Sequence, residues 1–231
     1  MRSGENNGIS TLGLTDHRYL TGALDFYAAC KSAGIKPIIG LEVDVDYSSF
    51  SGILTFLAKD MQGWSNLSHM SSSMLMKNET LSLDSVKRFK SGLVCIAGDP
   101  RGILRELVTK SPTSLNYPDS LVEDLKSLFN DDLFIEIQRY SDGPLKNENI
   151  LIQLANNHAV RLIASQNIFF RDPTELSRHL TLSAIRQNTT LNQVLKDKNS
   201  IRKSHFPSPE EFSHRFADIP EALDNLNIVA E

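Results

Sequence analysis

The sequence is poor in the features that mark secreted and membrane proteins. Its 231 residues include two cysteines, Cys30 and Cys95, which lie in apolar stretches far apart in the chain. A disulfide framework is therefore not expected, and a reducing, cytoplasmic compartment is. No apolar run approaches the roughly 20 residues that span a bilayer, and the opening MRSGENNGIS lacks the apolar core of a signal peptide. We expect a soluble chain without a membrane partner.

The chain also lacks an excess of positive charge. Its formal net charge is −4, and binding nucleic acid by bulk electrostatics requires a concentrated basic surface. The nearest approach is a short basic cluster interrupted by Asp197, which we expect to be a solvated loop: Lys196, Lys198, Arg202 and Lys203. DNA is therefore expected to be at most an indirect partner.

Familiar catalytic motifs are missing as well. The sequence contains no G-x-S-x-G nucleophile turn and no G-x-x-x-x-G-K-[ST] phosphate loop, and neither cysteine lies near a histidine in a known pattern. Serine and cysteine hydrolases and P-loop enzymes are therefore not indicated. Five histidines lie in predicted helices or loops, where core or surface roles are expected: His69, His158, His179, His205 and His214.

What the sequence does contain is an alternation of apolar runs and amphipathic stretches. The runs at 11–17, 36–45, 53–58, 93–98, 133–137 and 160–165 predict strands, with Leu12 and Leu14 buried. The stretches between them predict helices at 19–33, 63–76, 84–90, 102–109, 119–129 and 147–157, and beyond residue 172 only helices follow. This order predicts an α/β fold with a mostly parallel sheet covered by helices.

Polar residues stand at or near three of these strands. Asp16 and His17 are at the end of the first strand, Glu42 lies within the second, and Asp99 follows the strand predicted at 93–98. Carboxylates and imidazoles that converge from several strands are the ligands of metal-dependent phosphoesterases. Simpler interpretations stay open, because Thr15 or Asp16 could cap a helix, His17 could be a half-buried hydrogen-bonding residue, Glu42 could face solvent, and Asp99 could begin a turn.

Longer stretches carry a family resemblance. LGLTDHRYLTGALDFYAACKSAGIKPIIGLEV (12–43) resembles the opening of the polymerase-and-histidinol-phosphatase (PHP) domain in the alpha subunit of bacterial DNA polymerase III. Further matching segments span the chain: FLAKDMQGWSNLSHMSS (56–72), SGLVCIAG (91–98), LFIEIQR (133–139), LSAIRQNTTL (182–191) and FADIPEALDNLNIVAE (216–231). The resemblance therefore covers essentially the whole sequence.

The resemblance implies a distorted (β/α)7 barrel over residues 1–172, followed by a helical segment, 173–231, that in the family leads into the polymerase body. The family's first strand carries an H-x-H pair. It has no counterpart here, since only about ten residues precede TLGLTDH and a parallel strand with its crossover takes about 20. We therefore expect a barrel without its first strand.

The resemblance also implies a depleted metal site. An intact family site holds up to three divalent ions and resembles a phosphoesterase or 3′–5′ exonuclease centre. Here His17 and Glu42 match ligand positions, Asp99 replaces a cysteine, and Asp16 precedes the histidine. Three further ligand positions hold residues that ligate poorly or not at all: Tyr140, Asn167 and Phe169. We expect the four candidate ligands, His17, Glu42, Asp16 and Asp99, to be vestigial. No cofactor is expected to be bound; if one is, it should be a divalent ion such as Zn²⁺, Mn²⁺ or Mg²⁺.

The function implied is that of a non-catalytic structural or docking module of a DNA polymerase III alpha chain, in DNA replication. The parent family is a DNA-directed DNA polymerase, a nucleotidyltransferase, but we expect this chain alone to be inactive. The expected partners are the rest of the alpha chain and a proofreading exonuclease subunit. Two alternatives stay open: a residual metal-dependent phosphoesterase or 3′–5′ exonuclease, and a free-standing polymerase remnant with a binding role.

Overall fold

The computed structural model describes residues 9–110, 116–140, 143–196 and 204–231. The strands are β1 (Thr11–His17), β2 (Lys36–Tyr47), β3 (Phe50–Ala58), β4 (Leu81–Ser82), β5 (Leu93–Ala97), β6 (Leu133–Gln138) and β7 (Arg161–Ser165). The α-helices are α1 (Ala23–Ser32), α2 (Met61–Lys77), α3 (Leu83–Arg88), α4 (Ile103–Lys110), α5 (Tyr117–Phe129), α6 (Glu148–Asn157), α7 (Leu176–Arg186), α8 (Leu191–Lys196), α9 (Pro209–Arg215) and α10 (Pro220–Ala230). The predicted α/β alternation and the helical segment after residue 172 are confirmed.

The predicted basic cluster falls mostly outside this description. Of its residues Lys196 lies at the end of α8, whereas Lys198, Arg202 and Lys203 lie outside the described residues, as does Asp197. The prediction of a solvated loop there stays a prediction. Cys30 and Cys95 are both free and buried, as expected for a chain without a disulfide framework.

The strands form a sheet in the order β1-β2-β3-β5-β6-β7, with β4 paired to β2. The pairs β1–β2, β2–β4 and β5–β6 are parallel, but β3 runs antiparallel to both of its neighbours. The reason is the connection, because Ser48 and Ser49 alone join β2 to β3, and a parallel crossover takes a dozen residues or more. Ser48 has a φ of 56°, as tight hairpin turns require. The sheet is therefore mixed.

Strand β1 lies at the edge of the sheet. Ser10 accepts a backbone hydrogen bond from Lys36, and the N–H of Arg18 donates to the carbonyl of Glu42. In a parallel strand, alternate residues form their backbone hydrogen bonds with the same neighbouring strand. The even-numbered residues of β1 therefore form backbone hydrogen bonds with β2. No strand within the described residues pairs with the other edge of β1, which carries the N–H and C=O groups of Thr11, Gly13, Thr15 and His17. The edge also explains why Leu12 and Leu14, predicted to be buried, are only half-buried.

The chain divides into two compact units. Unit 1 comprises Met1–Ile137, Lys146–Ala164 and Glu221–Glu231, and unit 2 comprises Gln138–Leu145 and Ser165–Pro220. The division into a barrel at 1–172 and a helical segment at 173–231 stays a prediction about domains. The last helix, α10, lies almost entirely in unit 1, which also contains most of the strands.

Unit 1 is held together by packing between the sheet and its helices. Leu57, Val94, Phe134 and Ile163 form a buried cluster contributed by four strands, and Leu226 and Val229 of α10 pack against it. The Asn225 side chain donates to the Leu162 carbonyl at 2.7 Å. The apolar face of α10 therefore covers the sheet, as apolar burial at about 25 cal/mol per Å² favours.

Unit 2 combines a small apolar cluster with a buried polar network. Leu180 and Ala184 of α7 pack against Val194 of α8. The buried guanidinium of Arg139 donates to both carboxylate oxygens of Asp218, at 2.5 and 2.9 Å, and lies over the Phe216 ring. A buried arginine is tolerated only when its donors are satisfied, and this pairing fixes α9 and its following turn within the unit.

Candidate functional site

The candidate site in unit 1 begins with two buried carboxylates. Glu42 lies in β2 and is 6% exposed, so the prediction that it could face solvent is wrong. Asp99 follows β5 and is 3% exposed. It forms the predicted turn, because the Gly102 N–H donates to the Asp99 carbonyl at 2.7 Å and the Arg101 N–H donates to the Asp99 carboxylate at 2.6 Å.

Arg101 joins these two carboxylates. Its Nη2 donates to both oxygens of Glu42 at 2.8 Å, and its Nε donates to Oδ1 of Asp99 at 3.3 Å. The three side chains form an ion-paired cluster in which the acids are buried and the arginine is 48% exposed. A guanidinium can pair with two carboxylates at once because it is planar, carries several N–H donors and stays positively charged.

The pKa values follow from this pairing. Burial raises the pKa of the Glu42 carboxyl, although the positive charge of Arg101 acts in the opposite direction. Burial alone would lower the pKa of the Arg101 guanidinium, but the charges of Glu42 and Asp99 outweigh it and raise that pKa. Arg101 is therefore charged at every physiological pH, and the cluster always contains a cation.

His17 has a different partner. Its Nε2 lies 2.9 Å from Oδ1 of Asp44, which comes two residues after Glu42 on the same strand. Nε of Arg18 lies 3.2 Å from the other oxygen of the same carboxylate. His17 is exposed rather than half-buried. The imidazole is thus paired with a half-buried carboxylate that lies outside the predicted ligand set.

Asp16 does not cap the helix that follows it. Helix α1 begins at Ala23, with Gly22 at the N-cap position and no side-chain hydrogen bond to the cap. The interpretation of Thr15 or Asp16 as a helix cap is therefore wrong, because five residues separate the strand from the first turn of the helix. Asp16 is exposed at the end of β1.

The three depleted ligand positions lie in unit 2. The hydroxyl of the buried Tyr140 donates to Oε1 of Gln138 at 2.6 Å. Nε2 of Gln138 donates to the Asn167 side-chain oxygen at 3.5 Å. The exposed ring of Phe169 stacks on His179, with 5.4 Å between the ring centroids. Tyr140 and Asn167 thus share Gln138 in a neutral hydrogen-bonded chain.

Three of the other histidines have packing or pairing roles. His69 stacks on Phe89, Nε2 of His158 lies 2.8 Å from Asp119, and Nε2 of His205 lies 3.1 Å from Glu211.

The donor set in the described part of the chain does not fit a metal cluster. Within residues 9–110, 116–140, 143–196 and 204–231, no three His, Cys, Asp or Glu side chains come together so that they could hold an ion. Glu42 and Asp99 both contact Arg101, whose positive charge occupies the carboxylate oxygens that an ion would need. A metal centre of the kind that activates water requires several free oxygen and nitrogen ligands around one point.

Two residues of this site escaped the sequence-based prediction, namely Arg101 and Asp44. The sequence did contain a signal for Arg101, because Glu42 and Asp99 are predicted to converge as candidate ligands, and two carboxylates that converge without a metal ion require another cation. Arg101 lies two residues beyond Asp99 in the same turn. Asp44 shares a strand face with Glu42 by its i, i+2 spacing, but the pattern does not indicate which of the two acids His17 contacts.

In the part of the chain that the structure describes, no helix is both long enough and apolar enough to cross a membrane.

Comparison with known proteins places these observations in context. The family model for the PHP domain matches residues 1–140. The chain is 27% identical to the DNA polymerase III subunit alpha of Campylobacter jejuni, over 98% of this chain and 21% of that protein. It is 28% identical to the subunit alpha of Helicobacter pylori, over 97% of this chain and 20% of that protein. Among solved structures, an amidohydrolase from Chromobacterium violaceum aligns over 70% of this chain and 78% of that one, with 13% identity and a TM-score of 0.48. The chain thus spans about a fifth of the length of these curated relatives.

Proposed function

The chain belongs to the PHP domain family, and we propose that it is a non-catalytic structural and docking module of a DNA polymerase III alpha-type chain that acts in DNA replication. The similarity to two alpha subunits over 97–98% of this chain supports the replicative context. Polymerisation itself is outside the proposal, because the chain corresponds to about a fifth of those subunits.

The observation that carries the non-catalytic part is the pairing of Arg101 with Glu42 and Asp99. Both carboxylates of the site accept hydrogen bonds from this guanidinium. His17 is engaged by Asp44 instead. Without a free ligand set, water cannot be activated by a bound ion in the manner of metal-dependent phosphoesterases. A structural role requires none of these ligands.

The docking part of the proposal is supported by exposed apolar side chains in unit 2. Leu182 and Ile185 of α7 are 60% and 70% exposed, and Leu191 and Leu195 of α8 are more than two-fifths exposed. When exposed apolar side chains form a continuous patch on a protein surface, that patch is often a binding site for another protein or segment. The occupant we propose is the remainder of the alpha chain, because about four-fifths of each relative's length lies outside the matching part. A proofreading exonuclease subunit is a further proposed partner.

The experiment that tests the non-catalytic role is a metal titration with an activity readout. The purified chain is loaded with Zn²⁺ or Mn²⁺, dialysed and analysed for bound metal, and hydrolysis of bis(p-nitrophenyl) phosphate is then measured. We expect neither retained stoichiometric metal nor metal-dependent hydrolysis. Tightly held metal, together with hydrolysis that is lost in His17→Ala, would instead support the residual phosphoesterase.

The proposal that this chain is a module of an alpha-type polymerase chain can be tested by reading the gene sequence downstream of codon 231. A reading frame that continues past codon 231 into a polymerase supports a module of an alpha-type chain. A stop codon at that point would favour the free-standing remnant with a binding role.

A further inference from the structure

The proposed function leaves unexplained why Glu42 and Asp99 are buried at all. Their side chains are 8% and 4% exposed, and a buried carboxylate is unfavourable unless a charge partner and hydrogen bonds compensate it. Where catalysis is absent, two buried acids, one within β2 and one just after β5, must have a structural explanation.

The turn after β5 supplies that explanation. Asp99 is fixed by the backbone N–H of Arg101, so the carboxylate and the start of the arginine side chain are held together within one turn. From there the guanidinium reaches β2, where Nη2 contacts both oxygens of Glu42. The pairing spans 59 residues of sequence and joins β2 to the connection between β5 and α4. Ile53 of β3 forms a bridge to Gly102 of the same turn.

We propose that the Arg101 guanidinium performs the structural task of a metal ion, holding the Glu42 and Asp99 carboxylates together, and that these two form a latent cation site which is accessible only when Arg101 is removed. The inference extends the proposed non-catalytic function, on which it rests. It predicts that the fold of this chain is independent of divalent metal.

The charge balance favours this assignment. Two carboxylates and one guanidinium leave a single net negative charge in the cluster. A divalent ion would have to approach a fixed positive charge that already occupies the carboxylate oxygens. Arg101 is also tethered in cis, so its effective concentration at the carboxylates is far above that of a free ion. An ion in solution therefore competes poorly as long as the arginine is present.

The test compares Arg101→Gln with a matched control, Lys59→Gln. Lys59 is also 48% exposed and is paired with a carboxylate, that of Asp132, which is itself exposed. Melting temperatures are measured in EDTA and in saturating MnCl₂, and Mn²⁺ binding is measured by calorimetry. We expect the wild type and Lys59→Gln to melt at the same temperature in both solutions and to bind no Mn²⁺.

Arg101→Gln is expected to behave differently. In EDTA it should melt roughly 5–10 °C lower than the wild type, because two buried carboxylates lose the guanidinium that contacts them both. Mn²⁺ should restore part of that loss and bind with a stoichiometry of one, and the double variant Arg101→Gln, Glu42→Gln should lose the Mn²⁺ response. An Arg101→Gln protein that melts like Lys59→Gln and ignores Mn²⁺ would overturn the inference.

A third variant keeps the inference testable if Arg101→Gln does not fold. In Arg101→Gln, Glu42→Gln, Asp99→Asn the carboxylates are neutral, so no counter-charge is required. Folding of this triple variant would support the role of Arg101 as a counter-charge, and failure to fold would contradict it. A wild type that holds stoichiometric metal and hydrolyses a phosphodiester would contradict the proposed function. A metal-free, inactive wild type without a latent site in Arg101→Gln would contradict this inference alone.

Discussion

Nε2 of His17 lies 2.9 Å from Oδ1 of Asp44, and the two residues are on neighbouring parallel strands. The contact gives the histidine of the T-D-H motif a partner other than an ion. Because the His17 side chain is 41% exposed, the contact is screened by solvent and is expected to contribute little to stability.

His17→Ala therefore serves as the first prediction. We expect it to lower the free energy of unfolding by less than about 1 kcal/mol and to leave any background hydrolysis of a phosphodiester unchanged. Urea unfolding followed by circular dichroism measures the first quantity and a colorimetric assay the second. The control is His158→Ala, because His158 is largely buried against Asp119; its cost should be larger, about 1–2 kcal/mol. A His17→Ala protein with reduced hydrolysis would contradict the expectation.

A second prediction concerns Asp218 and pH. Hydrogen bonds from Arg139 lower the pKa of the Asp218 carboxyl below its usual value. A carboxyl whose pKa is lower in the folded state stabilises that state above its unfolded pKa, about 4. The stabilisation is lost as the pH falls through the folded value. Asp218→Asn should therefore weaken unit 2 at pH 7, and the difference from the wild type should shrink below about pH 4.

Hydrogen exchange of the backbone amides of α9 measures this effect locally in unit 2. Asp25→Asn, at an exposed carboxylate of α1, is the control with the same chemical change. If the difference in hydrogen exchange between wild type and Asp218→Asn stays constant down to pH 2, ionised Asp218 does not stabilise the folded state through its contact with Arg139.

A third prediction follows from the free edge of β1. Unpaired N–H and C=O groups on an edge strand can pair with another chain, so we expect the isolated protein to self-associate through β1. Gly13→Lys should reduce this association, since a lysine on an edge strand blocks pairing. The position tolerates a side chain, because the nearest atom to a Cβ at Gly13 is 4.0 Å away.

Sedimentation velocity over a concentration series measures the association. Gly143→Lys adds the same charge at another position with open space around it, so it separates a local effect on β1 from a change of net charge. Equal association of the two variants would rule out β1 as the interface.

The sequence allowed the elements to be predicted far better than their long-range contacts. Strands such as β5 and β6 are short apolar runs between turn residues, so local pattern alone identifies them. The antiparallel direction of β3 results from the two-residue turn that joins it to β2. Strand β4 has only two residues, which is too short to show a periodic pattern of apolar residues. Arg101 follows Asp99 in the predicted turn, and nothing near it in sequence indicates a partner 59 residues earlier.

The candidate site shows the same limit. Asp16 and His17 end β1 and Asp99 follows β5, as the alternating pattern implied, whereas Glu42 lies in the middle of β2. However, whether Glu42 faces solvent or the interior depends on which face of β2 the helices cover. Which cation neutralises it depends on tertiary packing. Both are properties of the folded chain rather than of any short window of sequence.

The amino group of Lys36 donates to the carbonyl oxygen of Glu231 at 2.6 Å, so the end of α10 lies at the start of β2. Glu42 lies six residues further along that strand, roughly 20 Å away at about 3.3 Å per residue. A dye or affinity handle attached after residue 231 would therefore begin at the amino end of β2, well separated along the strand from Glu42 and its partner Arg101. Such a label is suited to reporting on binding at the Glu42–Arg101 pair without obstructing it.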